Sequence, residues 1–177
     1  SGVDGSVHAV EWFDDGSGLA LYAGGSFQNA GGSAAKGLAR WNGIEWSAID
    51  SSFDGVVSAL AVFDDGNGPA MYVATTSTMG STSGQLFRCG SGGVQWIAST
   101  NGAIHALAVH DDGNGAALVL GGSFTFITTA TNSASVARIA RLAQGVVTSL
   151  GLGMDAEVRA LTSFDDGTGS ALYAGGA

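Results

Sequence analysis

Proline occurs once in this chain, at Pro69, and cysteine once, at Cys89. A single cysteine excludes an internal disulfide, so packing and hydrogen bonding must hold the fold; Cys89 itself is expected as a small buried hydrophobe beside Arg88. Charge is scarce as well. Only 12% of residues are charged, and 15 acidic against 6 basic side chains leave a net charge of −9. That sign repels phosphate backbones, so nucleic acid is not an expected partner. Long apolar runs are missing: one of the longest, 116–120, falls far short of the roughly 20 residues a helix needs to cross a bilayer, and no membrane span is expected. The opening Ser1-Gly2-Val3-Asp4 has neither a basic flank nor an apolar stretch, so any secretory leader is expected to have been removed or to lie outside the chain. There is no Gly-x-Ser-x-Gly elbow, His-Glu-x-x-His, P-loop or Asn-x-Ser/Thr sequon.

What the chain has in quantity is glycine, 30 residues, within a 45% hydrophobic composition. That mixture suits many short strands joined by tight turns. One phrase recurs four times. Val7-His8-Ala9-Val10 leads to Phe13-Asp14-Asp15-Gly16-Ser17-Gly18, and its copies end in Asp64-Asp65-Gly66-Asn67-Gly68, Asp111-Asp112-Gly113-Asn114-Gly115 and Asp165-Asp166-Gly167-Thr168-Gly169. The first Asp of each pair stands at 14, 64, 111 and 165, which gives periods of 50, 47 and 54. Repeats of this length are supersecondary units that bury their apolar faces against copies of themselves.

In the first unit, 7–13 is apolar and β-permissive, and the Asp-Asp-Gly-Ser-Gly cluster after it is a hairpin turn. Leu19-Ala20-Leu21-Tyr22-Ala23 returns and ends at Gly24-Gly25. Beyond a polar connection, Leu38-Ala39-Arg40-Trp41 and Glu45-Trp46-Ser47-Ala48-Ile49 flank Asn42-Gly43, a strong two-residue hairpin signal. The second unit has Met71-Tyr72-Val73-Ala74, Gln85-Leu86-Phe87-Arg88 and Val94-Gln95-Trp96-Ile97 in the corresponding places. The third has Leu118-Val119-Leu120, Ala137-Arg138-Ile139-Ala140-Arg141 and Val146-Val147-Thr148-Ser149-Leu150. This pattern predicts an all-β protein, a β-propeller-like array of four-stranded antiparallel blades. The predicted blades are 1–50, 51–100 and 101–151, with a half blade at 152–177, in a single repeat domain. Trp46 and Trp96 are expected to be equivalent and largely buried between blades.

The Gly-Gly doublet closing the second strand, with an aromatic third strand and a Trp in the fourth, resembles the kelch type of β-propeller. The wording Asp-Asp-Gly-x-Gly-x-Ala-Leu-Tyr-Ala-Gly-Gly-Ser-Phe is similar to repeats of secreted bacterial propeller proteins. Ala74-Thr75 of the second unit departs from it. The resemblance spans nearly the whole chain and implies architecture and an extracellular or cell-surface location; such propellers serve as enzymes, lectins and scaffolds alike.

Two groups of residues are candidates for chemistry. The pairs Asp14/Asp15, Asp64/Asp65, Asp111/Asp112 and Asp165/Asp166 could supply oxygen to calcium, although adjacent acids followed by Gly-x-Gly suit hydrogen-bonded turns better than the alternating carboxylates of a calcium loop. Calcium is the one cofactor under consideration, and the expectation is none. His8, Ser58, His105 and Arg159 share one position near the start of the innermost strand, where they would line a central channel. His8, His105 and Arg159 could therefore contact a ligand there. Arg40, Arg88 and Arg141 share a third-strand position and are expected to meet an Asp of a neighbouring loop or a main-chain carbonyl. His110 stands where other units have Phe.

The expected function is non-enzymatic, a propeller module for structural assembly or for binding protein or glycan. Its contact surface would be the variable connections 26–36, 75–84 and 123–135, with Phe27 and Phe124 the aromatics available there. The alternative is part of a secreted propeller enzyme acting on glycans or in redox chemistry, with its site at the channel mouth. Three and a half blades do not close a ring, so the half-blade edge is expected to be covered by another copy or by the rest of a longer chain.

Overall fold

Each Asp-Asp-Gly-x-Gly phrase closes an antiparallel β-hairpin in the computed structural model, which describes residues 2–49, 55–77, 82–90 and 92–177. In the first hairpin β1 (Val7–Asp14) pairs with β2 (Leu19–Gly25). Asp14 Oδ1 accepts the main-chain N–H of both Gly16 and Gly18 at 2.9 Å. Those glycines stand at φ +97° and +108°, a left-handed conformation that strains any residue with a Cβ. Asp64, Asp111 and Asp165 make the same double clamp.

Every regular element among the described residues is a strand. The first unit continues through a small hairpin, β3 (Asn29–Ala30) and β4 (Ser33–Ala34), to β5 (Leu38–Trp41) and β6 (Trp46–Ala48), and its sheet runs β1-β2-β5-β6. The second has β7 (Val56–Asp64), β8 (Pro69–Thr76), β9 (Gly84–Gly90) and β10 (Gly93–Thr100). The third has β11 (Ile104–Asp111), β12 (Ala116–Gly122), β13 (Phe126–Thr129), β14 (Ser133–Ser135), β15 (Ile139–Ala143) and β16 (Val146–Ser149), and its sheet runs β11-β12-β15-β16. The fourth is the hairpin of β17 (Val158–Asp165) and β18 (Ser170–Gly176).

The connection 123–135 is not the expected loop. Its strands β13 and β14 join the second unit's sheet beside β10, making six strands in the order β14-β13-β10-β9-β8-β7, so that sheet crosses the predicted boundary after residue 100. The cause is the length of β10, which runs to Thr100, together with Asn101, whose Oδ1 accepts the N–H of Thr125 and Phe126 at 2.8 and 2.9 Å. Asp4 does the same in the first unit, accepting from Gln28 and Asn29 at 2.8 Å while Val3 bridges to Ala30. Part of the connection 75–84, residues 78–81, lies outside the described residues.

Register also corrects the Trp equivalence. Ser47, Gln95 and Thr148 stand opposite Arg40, Arg88 and Arg141, so Trp46 corresponds to Val94, while Trp96 corresponds to Ala48. Trp96 is 43% exposed and Trp46 half-buried, the latter packing on Phe27, Ala30 and Ala35. Neither is the buried wedge expected from sequence.

The first strands of successive units lie against one another, β1 on β7, β7 on β11 and β11 on β17. Between the first and second units Phe13, Tyr22 and Leu38 meet Val57, Leu60 and Met71. Between the second and third, Phe63, Tyr72 and Ala74 meet Ile104, Leu107 and Leu118. His110, in place of a Phe at the third seam, is hydrogen bonded to Ser163 Oγ at 2.9 Å.

Glycine sets how closely the units approach. A Cβ on Gly24 would stand 2.4 Å from Val57 Cγ1, and one on Gly121 2.6 Å from Val158 Cγ1. The first glycine of the doublet is thus a socket for the aliphatic knob that opens the next unit.

Candidate functional site

The first strand of every unit carries a β-bulge at the same place, between Val7 and Ala9, Val57 and Ala59, Ile104 and Ala106, and Val158 and Ala160. A bulge inserts an extra residue and re-aims its side chain. The inserted residues are His8, Ser58, His105 and Arg159. These four and Glu157 line one open cleft of about 380 Å³.

Within the cleft the polar groups largely satisfy one another across the seams. His8 Nδ1 donates to the carbonyl oxygen of Val57 at 3.2 Å. Ser58 donates to the carbonyl of Ile104 at 2.6 Å and approaches that of Ala74 at 3.2 Å. His105 Nε2 lies 3.6 Å from Glu157 Oε2, and Arg159 donates to Glu157 Oε1 through Nε at 2.6 Å and through Nη2. The hydrogen bond from Arg159 lowers the Glu157 carboxyl below the usual range, and the charge of Arg159 adds to this. Glu157 was not singled out in the sequence; its place two residues before Arg159 becomes informative only once the bulge is known.

The acidic loops lie elsewhere, at the hairpin ends. The first Asp of each pair is occupied by its glycine amides. The second turns toward the sheet: Asp15 Oδ1 accepts the N–H of Ser17 at 3.0 Å and its Oδ2 the Tyr22 hydroxyl at 2.9 Å, with Arg40 Nε at 3.7 Å. Asp65 repeats this with Asn67 N–H at 3.1 Å, Tyr72 at 3.0 Å and Arg88 at 3.3 Å. The buried Arg88 Nε has no hydrogen-bond partner, so its contact with Asp65 is ionic. Asp112 meets Arg141 Nε at 3.7 Å, and Asp166 accepts the N–H of Thr168 at 3.0 Å. Each arginine also donates to a main-chain carbonyl of its own hairpin, Gly18, Gly68 or Gly115. Among the described residues no group of three His, Cys, Asp or Glu side chains converges as metal ligands would.

Phe27 and Phe124, the aromatics noted in the connections, are buried, whereas Phe126 in the same connection as Phe124 is 42% exposed. A second cavity, about 190 Å³ between the first two sheets, is lined by Phe13, Tyr22, Met71, Cys89 and Val94 among others. Burial pushes the Cys89 thiol up to about 11, so it is protonated at neutral pH.

No family model, curated protein or solved structure matches the chain.

Proposed function

We propose that the chain is a non-enzymatic β-propeller module, extracellular or at the cell surface, whose first and last units dock through their outer faces on another copy or on further units of a longer chain. One observation carries the reading: positions that the first two internal seams bury are open on those two faces. Val57, Ile104 and Val158 are at most 2% exposed, whereas their counterpart Val7 is 44% exposed. Leu60 and Leu107 are 7% and 9% exposed, and their counterpart Val10 is 58%. On the other face Phe164 and Tyr173 are 58% and 48% exposed, while Phe13 and Phe63 are at 6% and Tyr22 and Tyr72 at 2%.

The two faces also match in shape. Gly175 repeats Gly24 and Gly121, yet nothing lies within 4 Å of a Cβ built on it. It is an empty socket of the kind that receives Val57 and Val158, and Val7 is the unfilled knob. Apolar faces of this sort associate, and a head-to-tail contact produces a ring or a filament.

The test is solution mass against concentration for the chain and for Val7→Asp, a change at an exposed position that leaves the internal seams alone. Discrete multiples of the chain mass, reduced to monomer by Val7→Asp, are expected. A wild-type monomer at the highest soluble concentration overturns docking between copies.

A second reading, an enzyme acting at the channel mouth, has the cleft of His8, Ser58, His105, Glu157 and Arg159 in its favour. Weighing against it, the Ser58 hydroxyl is directed at main-chain carbonyls, and Glu157 is held by Arg159.

A further inference from the structure

The strands β13 and β14 give the second sheet an outer face that the four-stranded first and third sheets lack. Along β10 and β13 every other residue is directed inward: Ala98, Thr100, Ile127 and Thr129 are buried, and both threonine hydroxyls are spent on main-chain carbonyls, Thr100 on Gly102 at 2.7 Å and Thr129 on Asn132 at 3.1 Å. The residues between them are directed outward. Register sets Gln85 of β9, Ser99 of β10, Thr128 of β13 and Ser133 of β14 side by side, a polar row across four strands. Because β10 and β13 run antiparallel, Trp96, three residues before Ser99, and Phe126, two before Thr128, flank the row on opposite sides; they are 43% and 42% exposed. Three groups of the row have hydrogen-bonding capacity left over. Trp96 donates its indole N–H to Ser99 Oγ at 3.1 Å, which draws the ring along its own strand and leaves the Ser99 hydroxyl hydrogen without an acceptor. Ser133 donates to Thr128 Oγ1 at 3.1 Å, with the same result for Thr128. The Gln85 side-chain amide has no partner among the described residues. None of the six residues is charged, in a chain of net charge −9. The counterparts of Trp96 in the first and third sheets are Ala48 and Ser149, so the repeat itself does not call for an aromatic there.

We propose that this face binds a neutral polysaccharide in an extended conformation, with one sugar ring stacked on Trp96, a second contact on Phe126, and hydroxyls of the glycan bonded to Gln85, Ser99 and Thr128. Pyranose C–H groups carry partial positive charge and meet the negative face of an aromatic ring, while the sugar hydroxyls both donate and accept. Adjacent strands are about 4.8 Å apart, so the row offers polar groups at a spacing close to the length of one hexose in an extended chain. No cation among the six would pair with a uronate or a sulfate, which sets the preference for a neutral glycan. Both β10 and β13 are hydrogen bonded on either edge, so a peptide strand cannot add to the sheet at this place. The face is complete within residues 85–133, uses neither end of the chain, and is separate from the Val7 face.

The experiment runs the full chain through native gels cast with hydroxyethylcellulose, with glucomannan and, as the acidic comparison, with polygalacturonate. Retardation is expected in at least one neutral gel and not in polygalacturonate. Trp96→Ala should raise the apparent Kd on the order of ten-fold or more, as truncating a central tryptophan does, and Trp96→Phe should recover part of the loss. The double variant Gln85→Ala/Thr128→Ala should weaken binding with its melting temperature unchanged, which separates loss of binding from loss of fold. Trp12→Ala, at an exposed tryptophan of β1, should bind as wild type does. Unchanged migration in every neutral gel overturns the proposal, and so does retardation that survives Trp96→Ala or that is equal in polygalacturonate. The Val7→Asp chain should be retarded as wild type is, so docking through the end faces and glycan binding at Trp96 fail separately.

Discussion

Tyr72 donates its hydroxyl hydrogen to Asp65 Oδ2 at 3.0 Å, joining the second strand of its unit to the turn that precedes it. Tyr22 and Asp15 form the equivalent bond at 2.9 Å. Burial, and then the hydrogen bond to Asp15, push the Tyr22 phenol up to about 12; Tyr72 is raised for the same reasons. At Asp65 burial acts upward, but the Asn67 amide, the Tyr72 hydroxyl and the charge of Arg88 outweigh it and leave the carboxyl below its usual range. Asp15 is lowered too, chiefly by the Ser17 hydroxyl.

These shifts give the pH dependence of stability its sign. Depressed carboxyls contribute stability above an ordinary carboxylate pKa of about 4, and it is lost as pH falls through the folded values. Raised phenols contribute below about 10, and that stability is lost as pH rises toward the folded value. Melting temperature should therefore be flat between about pH 5 and 8 and fall on both sides, first on the alkaline side through Cys89 and then through the phenols. The double variant Tyr22→Phe/Tyr72→Phe should lose most of the alkaline decline and keep only what the half-buried Cys89 thiol adds. An alkaline limb unchanged in that variant would show that these phenols do not carry it.

Gly24→Ala and Gly121→Ala each force a methyl into Val57 or Val158 and should destabilise by about 1–3 kcal/mol, the usual cost of overpacking a tight seam. Gly175→Ala, at the empty socket, should change monomer stability by less than about 0.5 kcal/mol, as surface substitutions do. Denaturant titration of the three variants checks this, and equal costs would disprove the socket.

Trp96→Ala should cost on the order of 1 kcal/mol, because the ring is 43% exposed and its indole N–H bonds to Ser99 on the same strand at 3.1 Å. Phe27→Ala should cost about 3–5 kcal/mol, the range for deleting a buried aromatic. Thermal melts that reversed this order would return Trp96 to the core.

Strand order within a unit was legible because the determinants are local: Asp14 with Gly16 and Gly18, or Asn42-Gly43, form turns with no help from the rest of the chain. What was hidden depends on pairing between distant segments. A bulge at His8 exists only relative to Gly24 and Gly25, so sequence placed the four equivalent residues together without revealing what re-aims them. The strands at 126–135 become strands because Thr100 and Asn101 offer them an edge and a clip. Trp46 and Trp96 look equivalent until each is counted from its arginine: Trp46 stands one residue before the partner of Arg40, and Trp96 one residue after the partner of Arg88. Phe27 and Phe124 sit in polar sequence, and only the fold folds them under.

The bonds from His8 to Val57 and from Ser58 to Ile104 run the same way, donor in the earlier unit and main-chain acceptor in the later one. A seam built like this has polarity. Because the acceptor is a carbonyl that every residue possesses, the seam asks little of the incoming sequence beyond an aliphatic knob. A carbonyl oxygen is the same whatever side chain stands beside it, so exchanging Val57 or Ile104 for another aliphatic residue leaves these two bonds in place.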